Sequence, residues 1–537
     1  NLNCVFTAFL LILQSQTLTD MNTTFDMVAK TFQGLEEVLA GELRALGADE
    51  VTPGKRMVAF KGNLETLYRA NFCCRTALRI LKPFYSFDAS DADSLYAGAK
   101  LFDWSSIMNV NQTFAIDTVV FSDEFRNSQY VTYRIKDAVV DWFRDHSDNE
   151  QRPSVRLDGA DIMVNVHIAG TRVTLSLDSS GESLHKRGWR VAQTEAPINE
   201  VLAAGIILMT GWDGDKPFVD PMCGSGTFAI EAAMIAAGIY PGIYRKHYAF
   251  ENWADFDADL LEKIYNDDSA EREVTVPIIA CDIDKRALEI AKNNAKSAGV
   301  ERYITFERRS IAFDAPEEIV PKWKEAPAPE GVIVTNPPYG KRISVDDMNA
   351  LYKSIGATLK HVFTDWDVWI IGYTDEYFNE IGLAPSKKLQ LYNGGLECEL
   401  REYMIFAGKK KEFRQGGGRI KDERPEAPRK DKDRGPRDRK FGKDSGDRRP
   451  RKFDRDDKGP RGSREPREGR EGREGREKRD FRSPKAPGQQ HTEGRRPLSL
   501  GRQPSISADK EIVVNRPVWR TRKKHNNDNT ETDKTNE

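Results

Sequence analysis

Residues 219–227 read Val-Asp-Pro-Met-Cys-Gly-Ser-Gly-Thr and run straight into the apolar stretch Phe228–Ala237. No other segment constrains the fold as tightly. A strand ends at Asp220, a tight turn follows, and a helix starts. Gly224 and Gly226 let the backbone bend sharply and approach a ligand with no Cβ in the way. Around this turn, from about Ile198 to Lys409, strand-like and helix-like runs alternate at the spacing of βαβ units. That alternation predicts an α/β domain with a parallel sheet covered on both faces.

A glycine-rich strand–helix turn also suits a dinucleotide. Here the spacing is G-x-G without a third glycine, and an acid at the strand end is characteristic of S-adenosylmethionine sites. Asp220, Pro221, Cys223, Gly224, Ser225, Gly226 and Thr227 are therefore read as cofactor-binding. In Ile278-Ile279-Ala280-Cys281-Asp282-Ile283-Asp284 a second acid ends a second strand. Asp282 can accept hydrogen bonds from both ribose hydroxyls of a nucleoside cofactor. Asp284 precedes Ala287, Leu288, Ile290 and Ala291 at helical spacing and reads as an N-cap or a first-turn acid.

The third motif indicates the reaction. Val332–Thr335 is a buried strand, and it leads into Asn336-Pro337-Pro338-Tyr339-Gly340. This run resembles the catalytic motif of methyltransferases that act on exocyclic amines of bases. A base amine is a poor nucleophile because its lone pair is delocalised into the ring. The Asn336 side-chain oxygen and the Pro337 carbonyl can accept its two N–H bonds and favour the pyramidal form. Proline holds Asn336 extended, and Tyr339 would stack on a base swung out of its helix. Asn336, Pro337, Pro338 and Tyr339 are the catalytic candidates.

Upstream, Phe25–Thr31 reads as a strand, Leu35–Leu46 as a helix, Arg56–Phe60 as a strand and Leu64–Leu78 as a helix, making a small α+β module over 21–85. A second module over 86–180 holds the strand Thr113–Val120, the helix Tyr133–Phe143 and a hairpin of Asp161–Ile168 with Arg172–Leu177. A connector, 181–197, joins it to the catalytic domain, 198–410. Residues 411–537 carry a net +14 and the rest −16, so the overall −2 says little about partners. That tail has few large apolar residues and Arg-Glu-Gly triplets; it is expected to be disordered, with Ile512–Trp519 its one apolar patch. The opening Val5–Leu13 run is too short to span a membrane and lacks preceding positive charge for a signal peptide. Met21 is read as the true start, with 1–20 an over-extended and disordered prefix. Six cysteines with no C-x-x-C pair fit a reducing compartment rather than disulfides or zinc. The expected location is the cytoplasm, with no membrane partner and no metal.

Further segments carry a resemblance. Thr31-Phe32-Gln33-Gly34-Leu35-Glu36, Arg126-Asn127-Ser128-Gln129-Tyr130, Leu184-His185-Lys186-Arg187-Gly188-Trp189-Arg190, Ala196-Pro197-Ile198 and Asn393-Gly394-Gly395-Leu396-Glu397-Cys398 are similar to segments of the bacterial 23S rRNA (guanine-N2)-methyltransferases that join a THUMP domain to a class I methyltransferase. The resemblance runs from about Phe25 to Lys409. It implies a ferredoxin-like module, then THUMP, then a Rossmann-like class I catalytic domain using S-adenosylmethionine on 23S rRNA. THUMP domains bind structured RNA, which nominates Arg126, Tyr130, Arg134 and Lys136, with Arg187 and Arg190 of the connector, as RNA contacts. In the family an acid after the third strand often meets the cofactor's adenine; here Ser310 stands near that place. Longer members carry a second methyltransferase domain, and this chain has no second G-x-G turn with N-P-P-Y. The competing readings are a tRNA guanine-N2 methyltransferase, an adenine-N6 methyltransferase, and a non-catalytic RNA-binding assembly factor.

Overall fold

The computed structural model describes residues 23–406 apart from 148, 196, 313–319, 339–344 and 374. Residues 1–20, Tyr339, and the tail with Ile512–Trp519 lie outside the described residues.

The N-terminal half runs β1 (Phe25–Lys30), α1 (Glu36–Ala45), β2 (Asp49–Gly54), β3 (Met57–Gly62), α2 (Leu64–Cys73), β4 (Arg79–Asp88), α3 (Ala92–Lys100), β5 (Thr113–Phe121), α4 (Ser128–Asp145), β6 (Ser154–Val155), β7 (Ile162–Ala169) and β8 (Arg172–Asp178). The strands of the two modules expected from the sequence join in one eight-stranded sheet in the order β2-β3-β1-β4-β8-β7-β5-β6. The seam is the antiparallel pair β4–β8, from Leu81 opposite Asp178 to Asp88 opposite Arg172. The expected helix Leu64–Leu78 stops at Cys73, because Cys74 turns extended and the chain then enters β4. Pro83 disguised that strand, since proline cannot donate to a ladder; the register shifts between Pro83 and Tyr85 to accommodate it. Helix α4 starts earlier than expected, where the Asn127 side chain accepts from Tyr130 N–H at 3.1 Å.

The catalytic half runs α5 (Glu200–Met209), β9 (Phe218–Asp220), α6 (Thr227–Ala236), α7 (Ala258–Tyr265), β10 (Ile278–Asp282), α8 (Lys285–Ser297), β11 (Ile304–Arg308), β12 (Gly331–Thr335), α9 (Val345–Val362), β13 (Trp366–Gly372), α10 (Asp375–Glu380), β14 (Lys387–Asn393) and β15 (Leu396–Met404). Its sheet has the order β11-β10-β9-β12-β13-β15-β14. From β11 to β13 it is parallel, but β15 runs antiparallel to both β13 and β14, so the sheet is mixed rather than wholly parallel. Every residue of β9 and β12 is buried, as expected of strands covered on both faces. Helix α6 is also buried all round, which suits a helix inside a core.

The two halves share a core. Tyr248, Phe250, Trp253, Leu260, Leu261 and Ile264 follow α6 in the chain yet pack with Tyr68, Phe72 and the N-terminal sheet. Tyr68 and Phe250 stack with ring centroids 4.2 Å apart.

Candidate active site

From β9 the chain moves outward to β10 and β11, then returns to β12 on the other side of β9. The strand order thus reverses between β9 and β12, and ligands of open α/β sheets bind at the carboxyl ends of strands at such a switch. Asp220 ends β9, Asp282 ends β10, and Asn336 follows β12.

Residues 221–226 form a tightly braced loop. Cys223 N–H donates to Cys281 C=O at 2.8 Å, Gly226 N–H to Cys223 C=O at 2.7 Å, and Gly224 N–H to Asp282 Oδ2 at 2.9 Å. Both turn glycines have positive φ, +52° at Gly224 and +82° at Gly226, but for different reasons. A Cβ on Gly224 would meet only Thr194 Oγ1, at 3.4 Å, so that side of the loop is open for a ligand. A Cβ on Gly226 would sit 2.9 Å from Ala291 Cβ. Gly226 is therefore required for packing on α8, a demand beyond the ligand approach expected from the sequence.

Asp220 is 1% exposed, and its Oδ1 accepts from Met222 N–H at 3.3 Å. Burial, with Asp282 nearby, pushes its carboxyl up to about 8, so near neutral pH it largely keeps its proton. Burial also raises Asp282, against the two backbone N–H groups, of Gly224 and Asp284, that its oxygens accept. Asp284 caps α8 by accepting from Arg286 N–H at 2.9 Å. Cys223 is buried and its thiol lies well above the usual range through desolvation. Ser310 is buried in the turn after β11, where its Oγ accepts from Ala312 N–H.

At the end of β12, Asn336 Oδ1 is buried and accepts no hydrogen bond. Buried polar atoms are nearly always satisfied, and an amide oxygen waiting at a strand end is suited to receive an N–H from outside. With the open face of Gly224 and the acids Asp220 and Asp282, these residues fit a nucleoside-bearing methyl donor on one side and an amine on the other.

Two nominated RNA contacts are elsewhere. Arg187 is 2% exposed; its Nε donates to Glu231 at 3.2 Å, and its terminal nitrogens donate to the carbonyls of Leu184 and Arg75. Glu231 sits inside the otherwise apolar α6, and a buried carboxylate there needs a cation. Arg190 donates to Glu200 at 2.6 Å, Ser225 Oγ at 3.2 Å and Thr227 Oγ1 at 2.9 Å. Its guanidinium braces the glycine loop. Arg134 lies over the Tyr96 ring and pairs with Asp93, and Lys136 pairs with Asp137, both part-exposed. Arg126 and Tyr130 are exposed.

Asn294 was not singled out from sequence. It is fully buried on α8; its Oδ1 accepts from Val191 and Ala192 N–H, and its Nδ2 donates to Ala192 C=O and Ser225 C=O. One side chain thus ties the connector to the glycine loop. The available signal was an asparagine on the apolar stripe of Ala287, Leu288, Ala291 and Ala295, since an amide on a core face must find partners there.

Among the described residues no helix is long and apolar enough to cross a membrane, and no group of three His, Cys, Asp or Glu side chains could hold a metal. The five described cysteines are free and buried.

Comparison with known proteins agrees with this layout. Residues 187–402 match the RMKL-like methyltransferase domain, 89–178 the THUMP domain, and 26–81 the RlmL ferredoxin-like domain. A "Ribosomal RNA large subunit methyltransferase K/L" of Syntrophotalea carbinolica is 38% identical over 72% of this chain, which spans only 54% of that protein's length. A "Putative RNA methyltransferase" of Synechocystis is 36% identical over 72% of this chain and 98% of its own length. A crystal structure described as "a putative methyltransferase complexed with SAH" is 32% identical, with a TM-score of 0.62 over 72% of this chain and all of that one. With its ferredoxin-like and THUMP domains ahead of that catalytic fold, the chain belongs to the RMKL-like family of S-adenosylmethionine-dependent methyltransferases.

Proposed function

We propose that this chain methylates the exocyclic N2 of a guanine in 23S rRNA, in the cytoplasm. The observation that carries the chemistry is the buried, unsatisfied Asn336 Oδ1 at the end of β12, two strands from the Asp282 end of β10. RNA as substrate is supported by the THUMP match and by the names of the relatives. Guanine N2 and the 23S target rest on the family resemblance.

S-adenosylmethionine supplies the electrophilic methyl. Gly224 gives it room, Asp282 accepts from its ribose through lone pairs left beside the backbone bonds, and the loop 220–227 and Ser310 complete the cradle. Asn336 Oδ1 and Pro337 C=O accept the two N–H bonds of the base amine and hold its nitrogen toward the methyl. Pro338 keeps that turn rigid, and Tyr339 stacks on the extruded base. The proposed domain plan is 21–85 ferredoxin-like, 86–180 THUMP, 181–197 connector and 198–410 catalytic, followed by the basic tail.

Asn336→Ala should preserve the fold and both affinities while lowering kcat about 10²–10³-fold, roughly 3–4 kcal/mol, by analogy with loss of one oxyanion-hole donor. Single-turnover kinetics on unmodified rRNA measures this, and wild-type turnover in the variant would overturn the mechanism. The digested wild-type product should be N2-methylguanosine. Finding N6-methyladenosine would replace the base assignment and leave the role of Asn336 standing, and methylation of tRNA alone would replace the substrate.

A further inference from the structure

We infer that the outer edge of the catalytic domain, α8 with β11, is a phosphate-contacting surface for the RNA strand that flanks the target base. The inference rests on the RNA reading above.

Residues 1–410 carry a net charge of −16, so a polyanion can be held only where cations are locally in excess. Over much of the described surface they are not in excess. Lys61 pairs with Glu50, Lys100 with Asp145, Arg172 with Asp88 and Lys186 with Glu182. The α8–β11 edge differs. Lys285, Arg286, Lys292, Lys296, Arg302 and Arg308 are all exposed, and among the described residues none of them makes an ion pair. The acids of the same edge are fewer: Asp284 is used as the helix cap, Glu307 is paired with Arg309, and Glu289 and Glu301 remain.

An edge strand is commonly guarded by charge against pairing with another chain, and such a guard needs no particular sign. The opposite edge of this sheet shows that pattern, with Lys388 on β14 paired to Glu399. The β11 edge is cation-rich instead, with six exposed, unpaired cations among the described residues against Glu289 and Glu301. Two of its cations are also held in place, Lys292 lying 6.0 Å from the centroid of the Phe306 ring and Arg302 4.6 Å from that of Tyr303. Side chains already ordered lose less entropy when they meet a phosphate.

Position completes the argument. Helix α8 begins three residues after Asp282, at the rim of the site, and Arg308 Nε donates to Ile283 C=O at that rim. From Lys285 to Lys296 the helix carries the stripe about 17 Å away from the rim. β11 lies three strand spacings from β12, about 14 Å. A strand whose base is extruded at Asn336 therefore reaches this edge within a few nucleotides.

The test uses the full-length chain, wild type against Lys292→Gln/Lys296→Gln/Arg302→Gln, three positions away from the cofactor cradle. Both are titrated with large-subunit rRNA transcribed in vitro, across 50–200 mM salt, and S-adenosylmethionine affinity is measured by calorimetry. Loss of three phosphate contacts should lower the log–log salt slope by about 2, at about 0.7 per contact on a single strand, with cofactor affinity unchanged. An unchanged slope with cofactor binding intact overturns the surface and leaves the RNA reading standing. A wild type with no salt-dependent RNA affinity overturns both. Should the triple variant lose cofactor binding, Lys296→Gln alone decides, with a slope drop of about 0.7 expected and no drop overturning the inference.

Discussion

The connector from Leu184 to Arg190 and the edge formed by α8 and β11 are both basic in sequence, yet the structure uses them in opposite ways. Arg187 and Arg190 turn inward, one neutralising Glu231 inside α6 and the other bracing Ser225 and Thr227. The cations of α8 and β11 stay in solvent without carboxylate partners among the described residues. Composition cannot separate the two cases. What separates them is whether the chain supplies a buried acid or an unpaired loop hydroxyl within reach.

The comparison breaks most visibly at Arg187. Removing it leaves Glu231 buried without its ion-pair partner, so Arg187→Ala should destabilise the fold by about 3–5 kcal/mol, measured by denaturant unfolding. A variant of wild-type stability that loses RNA affinity instead would return Arg187 to the surface role first assigned to it. Arg190→Ala should act next most strongly, and on the cofactor. Two of its three bonds hold loop hydroxyls and the third is to a carboxylate; hydrogen bonds to charged groups are worth about 1.5–3 kcal/mol, which corresponds to S-adenosylmethionine affinity falling roughly 10–150-fold. Calorimetry that finds the affinity unchanged while the RNA salt slope falls would reverse the contrast. The smallest effect belongs to Arg126, exposed just before α4 and, among the described residues, making only a weak bond to Asp123 C=O at 3.4 Å. Arg126→Ala should lower the salt slope by about 0.7–0.9 with stability and cofactor affinity unchanged, and no change in slope would make it plain surface.

The places of the three strand-end motifs were legible because each couples a backbone demand to a chemical one. Gly224 must leave room, Asp220 and Asp282 must end strands, and a proline must hold Asn336 extended. The positive φ of Gly224 and the cap formed by Asp284 follow from the residues alone. Gly226 was half-read, since a glycine spared for a ligand and one spared for Ala291 look alike until α8 is in place. The partners of Arg187, Arg190 and Asn294 are tens of residues or more away in sequence, apart from Glu200 and Leu184, and nothing local announces them. β4 was missed because Pro83 argues against a strand unless a bulge is known to take it up.

The seam between β4 and β8 has a consequence for how the chain comes into being. β4 is finished at Asp88, but its partner is not complete until Asp178, and the apolar residues that close the same core extend to Ile264. Contacts so distant in sequence form late and slowly. At about 5–20 residues per second, the stretch from 178 to 264 alone takes roughly 4–17 s to emerge from the ribosome. Through that interval the faces of Tyr68 and Phe72 have no native cover. The nascent chain should therefore depend on chaperones over this window, and a fragment cut at the end of the THUMP match should aggregate where one extended past Ile264 stays in solution.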